Sequence, residues 1–275
     1  MAGSDRLSEE APRDRAIPAS IGRPGPSRYH RLNPLTKATL ATVTAVAAVV
    51  LGGLVGPVVL VMVAVVGPAI VAGVLGRLAK LALLLALPIA LSAFLINLFF
   101  FPGGETVLLR LGPIVATAEG LGFAFEILAR IMAISGAVTL FYLTTRPADL
   151  VVDLERRGVS PRAAFVANAS VQTVPAMVER AGQITAAQRA RGLDTEGSPW
   201  RRVRGIVPIV GPVILGSIAE VEERTMALEA RGFTRPGRRT LLWSPEDSSL
   251  QALARWALLL GLVALIVARI GGVLT

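Results

Sequence analysis

The 275-residue chain contains no cysteine and only one histidine, His30. The first absence excludes disulfides, thiolate metal sites and cysteine nucleophiles. The second leaves no all-histidine metal cage and no serine–histidine pair within the apolar stretches. Charge is also scarce, at 17% of residues against about 25% in soluble domains. No nucleotide-binding loop is present, so any energy source has to come from a partner. No cofactor and no metal site is expected.

What fills the chain instead is hydrocarbon. Hydrophobic residues make up 53% of it and the mean hydropathy is +0.63. Several uncharged runs reach the roughly 20 residues that a helix needs to cross about 30 Å of bilayer core. The expected fold class is all-α: a polytopic helical membrane protein with about five transmembrane helices and long cytoplasmic amphipathic coupling helices. The net charge of +9 is read as a topology signal beside membrane spans and not as a nucleic-acid footprint.

No charge occurs between Lys37 and Arg77, a stretch long enough for two spans, and Gly52-Gly53 and Gly56-Pro57 break it where a hairpin would turn. Spans are expected at about 38–54, 57–75, 81–101, 119–143 and 250–271, with a kink at Pro88. Asn97 is expected to hydrogen-bond between helices. Glu126 and Arg130, four apart, fall on one helix face and are expected to pair. Arg255 and Arg269 are expected to snorkel from the ends of the last span. The run 102–118, rich in Gly and Pro, reads as a loop. The uncharged run 205–219 contains Pro208 and Pro212 and reads as a cytoplasmic or interfacial turn leading into a helix.

The organisation expected is a disordered cytoplasmic tail over 1–30, transmembrane helices 1–4 over 31–145, a coupling-helix region over 146–249 and a C-terminal transmembrane helix over 250–275. Basic residues crowd the tail, the 76–80 loop and the 146–249 region. The positive-inside tendency places all three in the cytoplasm, with the C-terminus outside.

One tripeptide occurs twice, forty positions apart: Ala190-Arg191-Gly192 and Ala230-Arg231-Gly232. Pro175 and Pro212 can each open a helix leading to it. Met177, Ala181, Ile184, Gln188 and Arg191 share one face of the first. Ile214, Ile218, Val221, Thr225 and Leu228 make a stripe on the second. Gly192 and Gly232 suit the left-handed residue that ends a helix, and Leu193 and Phe233 supply the apolar residue beyond. Arginine before a capping glycine is common for helix-dipole reasons alone. The same tripeptide twice in matched settings calls for more. The alanine allows close approach, the glycine turns the chain away, and the guanidinium is left to fork onto a carboxylate.

On these residues the chain resembles the membrane-embedded T component of energy-coupling factor transporters, a branch of ATP-binding-cassette importers for vitamins and transition-metal ions. His30-Arg31-Leu32-Asn33-Pro34-Leu35-Thr36-Lys37 is similar to that family's N-terminal pattern, and Thr144-Thr145-Arg146-Pro147-Ala148-Asp149-Leu150 to the stretch after its fourth span, with Arg146 where a smaller or polar residue is expected. The resemblance implies a non-catalytic subunit in a bacterial inner membrane. Its implied partners are two ABC-type ATPase subunits, a small substrate-binding membrane S component and the lipid bilayer, without nucleic acid. It also implies that Arg191 and Arg231 contact acidic residues in grooves of the two ATPases. The rival classes are a self-sufficient permease or channel, which would need a polar or ionisable cluster at mid-membrane, and an intramembrane enzyme, for which the spans offer no catalytic arrangement.

Overall fold

In a computed structural model the described residues are 27–102, 106–111, 114–192, 199–233, 235 and 245–272; the side chains at 109–111, 114–115 and 199–207 are left aside. Most of the expected 1–30 tail, and Leu193 after the first tripeptide, lie outside these residues. The chain forms two units by contact: Met1–Leu150 with Trp243–Thr275, and Val151–Leu242.

The first unit is a helical bundle. Helix α1 is Pro34–Val50. Helices α2 (Val55–Leu60) and α3 (Gly67–Ala72) run on through a six-residue π-helical stretch, Val61–Val66. Then come α4 (Leu75–Phe100), α5 (Ala118–Thr144) and, after the second unit, α9 (Ser249–Ile270). Four of these are long and apolar enough to cross a membrane: Val55–Ala72, Leu75–Phe100, Ala118–Thr144 and Ser249–Ile270. Helix α1 is apolar but only 17 residues long, about 25 Å at 1.5 Å per residue. The result is a helical membrane protein with five apolar helices among the described residues, of which the first is the short one.

The π-helical stretch has a chemical cause in Pro68, at the start of α3. Proline has no N–H to give the carbonyl four residues back, and its ring crowds that carbonyl. The turn before it widens, and Gly67 N–H reaches Met62 O five residues back. Packing relies on small side chains. Ala82, Ala86 and Ala90 recur at fourfold spacing on α4 and are buried, as are Ala124, Ala133 and Ala137 on α5. Membrane helices have little hydrophobic drive toward each other and gain chiefly by letting backbones approach. The Ser135 hydroxyl adds a bond across to Ala82 O at 3.0 Å.

Two polar expectations in the spans have different outcomes. Arg130 pairs with Glu126, as the spacing indicated, and also donates to Leu51 O at 3.0 Å. Asn97 does not bond between helices in the described contacts: its amide donates to Ala93 O of its own helix at 2.7 Å. The carbonyl one turn back lies within reach and satisfies the donor locally.

The 102–118 loop is more ordered than expected. Val107–Leu111 (β1) and Ile114–Thr117 (β2) pair antiparallel, with Leu111 opposite Ile114. β-branched residues on both sides of Gly112-Pro113 supply the strand propensity.

Asn33 caps α1, accepting from Leu35 N–H at 2.9 Å, and its own N–H donates to Gln251 Oε1 of α9 at 2.7 Å. Asn33 is fully buried. Asn33→Ala is expected to lower stability by about 1–2 kcal/mol, and Asn33→Asp by less, because only the aspartate keeps the acceptor. Thermal denaturation in detergent checks this, and equal melting of wild type and Asn33→Ala would refute it.

Candidate functional site

Both tripeptides lie in the second unit. After α6 (Pro147–Arg156), that unit holds two long helices, α7 (Pro161–Ala190, 30 residues) and α8 (Pro199–Ala230, 32 residues). Helix α7 begins at Ser160, whose side chain accepts from Ala163 N–H, with Pro161 at the first helical position. The expected helix starts at Pro175 and Pro212 are therefore corrected. Pro175 lies inside α7, and Pro208 and Pro212 lie inside α8. The run 205–219 is likewise helical and not a turn. An interior proline forgoes one backbone bond and bends a helix without ending it when the flanking turns hold.

The helix ends match the expectation closely. Ala190 and Ala230 are the last helical residues, Arg191 and Arg231 follow, and Gly192 and Gly232 take positive φ of 91° and 69°. At the second end Gly232 N–H donates to Glu229 O at 2.9 Å and Phe233 N–H to Leu228 O at 2.9 Å. That is the full two-bond glycine cap. At the first end Gly192 N–H donates to Arg189 O at 2.9 Å. The Phe233 ring stacks edge-on against Phe165, centroids 4.9 Å apart, and pins the second end to the start of α7.

All six tripeptide residues are exposed. Neither Arg191 nor Arg231 makes an ion pair or side-chain hydrogen bond among the described residues. A third arginine–glycine end, not singled out from the sequence, provides an internal comparison. Arg157 precedes Gly158, which has φ 109°, yet it bonds Asp153 at 3.1 Å one turn back. The signal was an aspartate at i−4. Neither tripeptide has one, since Ala187 and Ala227 stand there.

Between the two helices, Glu220 of α8 holds Arg180 of α7 at 2.7 Å and Arg224 of its own helix at 2.6 Å. A cleft of about 330 Å³ opens beside Arg224, lined by Phe165, Gln172, Thr173 and Leu228 among others. Of the apolar residues expected on these two helix faces, Met177, Ile214, Ile218 and Val221 are exposed, while Ile184 and Leu228 are half-buried. Val178 and Leu215 add to them, each 69% exposed. This is far more exposed apolar surface than a solvated pair of helices carries without a protein or lipid partner. Among the described residues no group of carboxylates and histidines able to hold a metal ion occurs.

A membrane bundle joined to a pair of long helices, with two arginine tips and an apolar surface, defines a helical membrane component built to engage other proteins. Comparison with known proteins makes this specific. A family model described as the cobalt transport protein CbiQ matches residues 26–241. Relatives described as energy-coupling factor transporter transmembrane protein EcfT include that of Bacillus selenitireducens, 31% identical over 179 residues, covering 60% of this chain and 66% of the relative. The Listeria innocua protein is 31% identical over 187 residues, covering 63% and 69%. The Bacillus subtilis protein is 28% identical over 176 residues, covering 59% and 66%. The chain thus spans about two thirds of the length of these relatives, and it belongs to the CbiQ/EcfT family of energy-coupling factor T components.

Proposed function

We propose that this chain is the energy-coupling transmembrane subunit of an energy-coupling factor importer in a bacterial inner membrane. It takes ATP-driven motion from two cytoplasmic ABC-type ATPases and delivers it to a small substrate-binding membrane subunit. The cargo is of the vitamin or transition-metal class. The subunit itself catalyses nothing. Its N-terminal segment and the 146–249 region lie in the cytoplasm, as the basic residues there favour.

The observation that carries this reading is the pair of guanidiniums at matched helix ends, neither of them in an ion pair among the described residues. Arg157 also precedes a left-handed glycine but is paired with Asp153 one turn back; Arg191 and Arg231 are held out on glycine-capped tips. A fork-shaped donor so presented fits an acidic groove on a partner. The apolar faces of α7 and α8 suit the substrate-binding subunit. The permease alternative loses ground on one contact: Glu126 is neutralised by Arg130 and is not left as an unpaired carboxylate in its span.

Co-expression with the ATPases and substrate-binding subunit of the same organism tests the reading. The chain is expected to co-purify with two ATPase copies, and vesicles holding the chain alone are expected to take up nothing. Uptake by the chain alone would instead establish a permease.

A further inference from the structure

Within the second unit, helices α7 and α8 pair antiparallel. The Phe165–Phe233 contact and the Arg180–Glu220 bridge lie fifteen residues apart along α7 and thirteen apart, in the reverse direction, along α8. Between these two points Ala169, Thr173 and Ala176 follow one another at four and three residues on α7. Val221, Arg224 and Leu228 do so at three and four on α8, and both sets line the cleft between the helices. That spacing keeps a seam turned toward its partner.

The seam does not fix its own register. On the α7 side it is alanine and threonine, small side chains that offer no deep knobs, and the cleft of about 330 Å³ is the space they leave. Among the described side chains of the two helices only Ala164 is buried. The hydroxyls donate within their own helices, Thr173 to Ala169 O and Ser217 to Val213 O, both at 2.7 Å. Glu220 supplies what the apolar contacts lack. One oxygen of its carboxylate accepts from Arg224, one turn on, at 2.6 Å, and the other meets Arg180 across the seam at 2.7 Å. The Arg224 contact thus turns the carboxylate toward α7.

An exposed ion pair shifts an equilibrium by no more than about fivefold. Where no buried core separates one register from the next, a factor of that size decides which is populated. The consequence falls on the tips. The Phe165–Phe233 contact holds the Arg231 end, and the Arg191 end lies about 40 Å further along α7. A slip of α7 against α8 by one turn would change that separation by about 5.4 Å, more than a forked hydrogen bond of about 2.8 Å can follow.

We propose that Glu220 is a positioning residue: oriented by Arg224, it locks α7 to α8 through Arg180 and so fixes the separation at which Arg191 and Arg231 are presented. The use of that separation to seat two ATPases at once rests on the function proposed above; the lock itself does not.

The chain lacks cysteine, which permits spin labels at Ala187→Cys and Met226→Cys, exposed positions four and five residues before the two arginines. For the full chain in nanodiscs the distance distribution is expected to be narrow, and in Glu220→Gln at least about twofold broader. Arg224→Ala keeps the cross-helix pair and is expected to broaden it less. Inverting the trio, with Arg180→Glu, Glu220→Arg and Arg224→Glu together, restores both attractions with opposite sign and is expected to return the wild-type width. With tagged ATPases added, Glu220→Gln is expected to capture them about tenfold more weakly, because tips at a variable spacing lose the effective concentration that each grip lends the other. The inverted chain is expected to regain capture.

An unchanged width in Glu220→Gln overturns the lock. So does an inverted chain as broad as Glu220→Gln, since charge pairing would then not be what sets the register. Wild-type capture by a broadened Glu220→Gln overturns the positioning role. If the wild-type chain captures no ATPase, the transporter reading fails, and the widths in nanodiscs still decide the lock.

Discussion

Arg191→Ala combined with Arg231→Ala is expected to abolish binding of both ATPases and all uptake, with the membrane unit folded as before. Losing one partner of a buried interfacial charge pair costs about 2–5 kcal/mol, which weakens binding roughly thirtyfold or more for each arginine. Two tips engaging two copies multiply that loss, because each grip raises the effective concentration of the other. Both side chains are exposed and without an ion pair among the described residues, so their removal takes nothing from the subunit itself. Arg157→Ala is the control. It breaks the contact with Asp153 and is expected to leave ATPase capture intact. Arginine-to-lysine changes at 191 and 231 keep the charge but lose the fork, and should fall between. Pull-down of tagged ATPases measures all four variants. Wild-type capture by the double alanine variant would remove the central support for the proposed function.

The glycines behind these tips set the direction in which the arginines point. Gly192 and Gly232 occupy left-handed backbone, where any other residue carries a penalty of about 1–2 kcal/mol. The chain accepts that restriction at both ends and gains a sharp exit that leaves the guanidinium outermost. Phe233 against Phe165 fixes the second tip further. A rigid donor loses little entropy on docking, which favours transmission of force over mere tethering.

Different parts of this architecture were legible to different degrees, for physical reasons. The spans could be read because bilayer thickness imposes a minimum apolar length that few other structures need. The two tips could be read because a glycine cap is local chemistry. The helix starts in the second unit were misplaced because proline gives the same local signal at a first turn and at an interior kink. Ser160-Pro161 was the stronger start, with a side-chain oxygen bonded to Ala163 N–H. The β1–β2 pairing is hidden in the sequence because the Gly and Pro residues of 102–118 carry a loop signal and the β-prone runs beside them are only a few residues long. The long-range polar contacts of the first unit were illegible altogether. Lys37 meets Thr144 across 107 positions and Asn33 meets Gln251 across 218, and no local pattern announces such pairs.

Gly136→Leu is expected to be severely damaging to the bundle. Helix α5 approaches the π-helical stretch so closely that a Cβ at Gly136 would lie 2.8 Å from Val65 Cγ1. Val65 is 1% exposed and belongs to the buried cluster with Ala69, Ala137 and Leu140. It cannot swing aside, because a β-branched side chain in a helix has essentially one rotamer. Even Gly136→Ala therefore forces backbone movement, and its overpacking cost of about 1–3 kcal/mol outweighs the helix-propensity gain of up to about 1 kcal/mol. Leucine adds three more carbons in the same place and should exceed about 3 kcal/mol. Val65→Ala removes the colliding Cγ1 methyl, together with Cγ2, which would lie at an ordinary 3.6 Å. Combined with Gly136→Ala it should recover at least about 1 kcal/mol relative to the sum of the single changes, the mark of direct contact. Melting in detergent of the four members of this cycle supplies the numbers. Strict additivity, or a Gly136→Leu protein as stable as wild type, would mean that the two helices do not meet there. The π-helical widening at Pro68 would then have lost its packing role, which is to bring Val65 against a helix stripped to glycine.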